Sequence, residues 1–90
     1  MKIFSSDLIN LPVYSESGQH LGRIDSFEID VETHLILEYH IRTGLIKGLW
    51  HQQLIINRSQ VISISKARMV VEDNVSKKPA VDLVVTPATK

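Results

Sequence analysis

Ninety residues carrying ten Lys and Arg against ten Asp and Glu, with no cysteine, give one domain rather than two and a formal net charge of zero. At 10.2 kDa, folding hides roughly 64% of the surface of the extended chain, enough for a modest core without metal or disulfide support. The missing cysteines exclude disulfides, thiolate metal sites and thiol nucleophiles, and the balanced charge argues against direct nucleic-acid binding, whose affinity draws on surplus Lys and Arg.

From the N-terminus, MKIFSSDLIN has one Lys and a short interrupted apolar stretch, the pattern of neither a signal peptide nor a membrane anchor. No apolar run approaches the ~20 residues that span a bilayer, so the expectation is a soluble, cytoplasmic domain. Ser5 or Ser6 is placed to cap one helical turn through Leu8, with Asp7 favoured near its start. Pro12 then forces extended geometry at Leu11 and feeds a short strand around Val13 and Tyr14. YSESGQ supplies a turn with Gly18 at positive φ, and a second strand follows. In that strand Ile24 is out of phase with Phe27 and Ile29, and a bulge near Asp25-Ser26 would bring all three to one face. DVETH turns the chain into LILEYHIRT, residues 35–43, where Leu35, Leu37, Tyr39 and Ile41 share a face. Glu38, His40 and Arg42 take the other face, and only Ile36 breaks the alternation.

TGLIKGL, residues 43–49, is a Gly-bounded turn into LWHQQLIIN. In QVISIS, Val61 starts a strand with Ile62 and Ile64 inward and Ser63 and Ser65 outward. Lys66-Ala67 makes a tight hairpin to RMVVED, residues 68–73. Six short strands and one helical turn by residue 74, punctuated by Gly and Pro, predict an all-β barrel or sandwich. Residues 1–75 form that domain; the tail, 76–90, carries an edge-strand candidate at 81–86 followed by a disordered end.

Chemistry-bearing residues are few. Gly18 and Gly22 lack the following Lys and helix of a phosphate loop; they read as a turn glycine and a strand glycine that permits a close crossing. Asp25 lies at the bulge, whereas Glu28, Asp30 and Glu32 share the parity opposite Phe27 and Ile29, a solvated polar face unsuited to acid–base catalysis. His20, His34, His40 and His51 show no HxH or HxxxH spacing and lie on different segments, so they read as partly exposed strand histidines. Only convergence across strands would make them metal ligands. No nucleophile motif is present, and no metal or cofactor is expected. GLWHQQL combines a flat aromatic anchor, Trp50, with polar neighbours, as binding hot spots do; Trp50 equally suits a cap on one end of a barrel. The candidate interaction surface is Trp50, His51, Gln53, Arg42 and Val84, while Arg23, Arg42, Lys47 and Arg58 read as scattered counter-charges.

SSDLINLPVYSESGQHLGRIDSFEIDVETHLILEYHI resembles the first half of the PRC-barrel family: a Ser/Asp-Leu turn, a strand ending in Val-Tyr, an acidic Gly turn, Leu-Gly-x-Ile, and an Asp closing the second strand. LIINRSQVISISKARMVVEDN resembles its second half, and together the motifs cover about residues 3–74. The resemblance implies a small, strongly bent six-stranded β-barrel with one short helical turn, in which Gly22 and Asp30 are structural. It implies no catalytic residues. The family includes the cytoplasmic part of the photosynthetic reaction-centre H subunit, the C-terminal domain of the ribosome maturation factor RimM, and short stand-alone proteins, which this chain resembles most. The expected role is a non-enzymatic adaptor that binds a protein partner and itself as a homodimer, without a small-molecule substrate. The alternatives are a ribosome- or RNA-processing-associated factor, which needs a basic patch of Arg23, Arg42 and Arg58, and a small-ligand or metal-binding protein.

Overall fold

The computed structural model describes residues 1–43, 52–75 and 78–79. Period-two segments become strands and the Gly-, Pro- and Asx-rich segments become turns, in the order α1 (Ser5–Leu8), β1 (Pro12–Ser15), β2 (His20–Ile29), β3 (Ile36–Arg42), β4 (Gln52–Asn57), a 3-10 turn (Arg58–Gln60), β5 (Val61–Ile64), β6 (Met69–Val71) and β7 (Lys78–Pro79). The strands form one sheet in the order β5-β6-β1-β2-β3-β4-β7. β1 to β4 is an antiparallel meander; the β5–β6 hairpin then returns so that β6 pairs parallel with β1, Val13 beside Met69. This curls the sheet into a barrel-like all-β fold, left open among the described residues between β5 and β7.

Inside the curl lie Leu8, Leu11, Val13, Leu21, Ile24, Tyr39, Ile41, Leu54, Ile56, Met69 and Val71, with Ile3, Phe27, Ile36, Val61, Ile64 and Val75 packed around them. The expected bulge is present as a register shift between Ile24 and Ser26. It brings Phe27 to the core side but not Ile29, which is 49% exposed past a second irregularity between Glu28 and Ile29. At the same end Leu35 and Leu37 are exposed, whereas Ile36, the apparent exception in its strand, packs against the core. The β2–β3 hairpin outruns the core, so parity alone no longer decides burial there.

β5 departs from its simple alternation for a related reason. A register shift between Val61 and Ser63 places Val61 and Ile64 against the core and leaves Ile62 47% exposed. The helical turn is capped differently from expectation as well. Ser5 lies within it, Phe4 is the N-cap residue, and no side chain caps it. The Asp7 and Leu8 N–H groups instead donate to the Phe4 carbonyl, at 2.9 and 3.2 Å.

Two glycines behave as the sequence predicts. Gly18 has φ 97° in the β1–β2 turn. Gly22 has φ 153°, and a Cβ there would stand 2.5 Å from the Arg42 carbonyl oxygen of β3, a crossing only glycine allows. β7 pairs with the Gln52-Gln53 end of β4 and falls within the sequence-assigned tail; the strand expected at 81–86 lies outside the described residues.

Candidate functional site

The outer surface of β2 and β3 gathers most of the described polar chemistry. On β3, Tyr39 and Ile41 are buried, so alternation turns Glu38, His40 and Arg42 outward. On β2, the bulge resets the phase so that Ser26 pairs with His40 and Glu28 lies directly opposite Glu38. One donor atom from each of Glu28, Glu38 and His40 then falls within 4.8 Å of the other two. His40 Nε2 is 3.1 Å from Glu28 Oε2, with the imidazole 19% exposed and the Glu28 side chain 57% exposed. Glu38 is half-buried, and its carboxylate has no hydrogen-bond or ion-pair partner among the described residues. Like charges directly opposed on neighbouring strands repel, so this pair of carboxylates is a locally unfavourable arrangement that a cation relieves.

Arg42, further along β3, is held. Its Nη1 donates to Asp25 Oδ1 at 2.9 Å and its Nη2 to Asn10 Oδ1 at 2.7 Å. Arg23 Nη1 donates to the Asn10 carbonyl at 2.8 Å. Asn10 supplies both acceptors from the left-handed conformation, φ 72°, which its short amide side chain tolerates. Arg23 and Arg42 are cross-strand partners, whereas Arg58 follows Asn57, the partner of Glu38 rather than of Arg42. Four residues of strand, about 13 Å, separate those positions. The basic patch required by an RNA reading is therefore divided, and Asp25 offsets its best-placed member.

Of the sequence-nominated interaction surface, Arg42 and Gln53 are cross-strand neighbours, and Trp50, His51 and Val84 lie outside the described residues, as does Lys47. Among the other histidines, His20 packs its ring 5.0 Å from that of Tyr14, and His34 takes φ 67° in the β2–β3 turn. Asp30, expected on the solvated face beside Glu28 and Glu32, is half-buried and organises that turn. Its Oδ1 accepts the Glu32 N–H at 3.0 Å and its carbonyl accepts the His34 N–H at 2.7 Å. The turn presents Ile29, Val31, Leu35 and Leu37 at the end of the hairpin, all at least 39% exposed. Alternation alone hides this apolar end, because it turns Ile29, Leu35 and Leu37 toward the core.

A cleft of about 220 Å³ lies at the N-terminus between Lys2, Ile3, Phe4 and Lys66. Two ionisable groups are shifted. Burial pushes the Tyr39 phenol above its ordinary 10.0. The Ser17 N–H, followed by the Ser17 hydroxyl, holds the Asp73 carboxyl below its ordinary 3.8. No helix among the described residues is long and apolar enough to cross a membrane. A family model for the PRC-barrel domain matches residues 1–78, and no curated protein matches the chain.

Proposed function

The chain belongs to the PRC-barrel domain family, and from that premise we propose that it is a non-enzymatic interaction module, binding a protein partner and a second copy of itself. The supporting observation is the end of the β2–β3 hairpin, where Ile29, Val31, Leu35 and Leu37 are exposed together around a turn fixed by Asp30. Clustered apolar side chains on a rigid element are characteristic of a protein-binding surface. For self-association the sheet offers β5, an outermost strand with Ile62 exposed and no strand on its other side among the described residues. Such an edge accepts a further strand through main-chain hydrogen bonds. The separation of Arg58 from Arg23 and Arg42 favours a protein partner over RNA.

The test is affinity capture from a lysate of the native cell, with and without nuclease, using the wild-type chain and a Val31→Asp/Leu35→Asp double variant. The expected result is a nuclease-resistant protein partner that the wild type retains and the variant loses. Partners that vanish with nuclease, chiefly ribosomal proteins, or capture unaffected by the double substitution, overturn the reading. Sedimentation of the purified chain checks the second copy: a concentration-dependent dimer is expected, and a monomer at every concentration removes that part of the proposal.

A further inference from the structure

We propose that Glu28, Glu38 and His40 form a site for a divalent transition ion, with zinc as the fitting ligand, on the outer face of the sheet. The inference is independent of the interaction reading, since it rests on donor chemistry and register alone. The donor triangle is no wider than 4.8 Å, so a central point lies no more than about 2.8 Å from each donor. Zinc bonds to imidazole nitrogen and carboxylate oxygen at about 2.0–2.2 Å, and small torsional changes in the two glutamate side chains close that gap.

Charge points the same way. Two carboxylates face each other across β2 and β3, Glu38 has no side-chain partner among the described residues, and the guanidinium on the same strand, Arg42, is engaged by Asp25 and Asn10. A dication supplies the balance these side chains lack. Glu38 and His40 are held on β3 between β2 and β4, and Glu28 is paired directly to Glu38; ligands on paired strands are held better than ligands on loops. The imidazole sets the preference. Calcium and magnesium take all-oxygen sets, whereas an imidazole with carboxylates suits zinc and its transition-metal neighbours. Three protein donors leave one tetrahedral position open, so the site would hold zinc with an exchangeable fourth ligand.

The experiment is calorimetric titration of the full chain with zinc chloride, repeated with magnesium and calcium, on the wild type and on Glu28→Gln, Glu38→Gln and His40→Gln. One zinc per chain is expected, with each substitution weakening binding by at least about tenfold and neither magnesium nor calcium competing. Glu28 is largely exposed and Glu38 unpartnered, so their glutamine variants keep the metal-free unfolding midpoint and separate lost ligation from lost fold. His20→Gln, His34→Gln and His51→Gln are expected to leave the zinc affinity unchanged. Absence of saturable zinc binding, wild-type zinc affinity in the Glu28→Gln, Glu38→Gln or His40→Gln variant, or displacement of zinc by calcium overturns the proposal.

Discussion

Gly22 shows how one residue can fix a crossing between strands. With φ 153° and the Arg42 carbonyl 2.5 Å from where a Cβ would sit, alanine meets both a disfavoured backbone conformation and main-chain oxygen that cannot move alone. Gly22→Ala is expected to cost at least about 2 kcal/mol, read as a lower denaturant midpoint at unchanged slope. Gly18 is the comparison. Its φ of 97° is unfavourable for alanine, yet nothing lies within 4 Å, so Gly18→Ala carries only the conformational cost of about 1 kcal/mol. A larger loss at Gly18 than at Gly22 would show that the β2–β3 crossing is looser than the geometry requires. Both glycine roles were legible in the sequence, because a turn glycine amid Ser and Glu and a lone glycine inside an alternating strand each carry a local signature.

The elements are where the sequence reading parted from the structure, and bulges account for most of the difference. Alternation correctly turned Tyr39 and Ile41 inward and Glu38, His40 and Arg42 outward. It failed at Ile62, since the shift between Val61 and Ser63 adds a residue to β5 and moves the inward pair to Val61 and Ile64. A single strand cannot reveal such a shift; only its partner's register does. The candidate metal ligands divide along the same line. Spacing puts Glu38 and His40 on one face, but Glu28 joins them only through the bulge between Ile24 and Ser26. The bulged register of β5 has its own test in the contrast between two isoleucines. Ile64→Ala removes a half-buried side chain and is expected to cost about 1–2 kcal/mol, below the 2–5 kcal/mol of a fully buried site such as Ile41→Ala, while Ile62→Ala costs under about 0.5 kcal/mol. Equal losses at positions 62 and 64 in equilibrium unfolding would contradict the assigned register.

The whole molecule is held together by a return that local patterns do not announce: β6 comes back to lie parallel to β1, joining the first strand to the β5–β6 hairpin. Each half was readable as hairpins, but their pairing depends on contacts more than fifty residues apart, which periodicity cannot encode. Asp73 fastens that return, because its carboxylate accepts the Ser17 N–H at 3.0 Å in the turn after β1. The bond favours the ionised form, so the folded chain binds a proton at Asp73 less readily than the unfolded chain does. The stabilisation is therefore present above the ordinary carboxyl value of 3.8 and is lost as the pH falls through the lower folded-state value. Burial of Tyr39 acts at the other extreme: its contribution is complete below pH 10.0 and is lost as the pH rises through the raised folded-state value. Asp73→Asn removes the titrating carboxyl, and the wild-type advantage over this variant is expected to be constant near neutrality and to shrink on acidification below pH 3.8. Unfolding midpoints of both proteins across the acid range test this directly. An advantage that persists undiminished at the lowest pH would mean that Asp73 secures the β1–β6 closure through contacts indifferent to its charge.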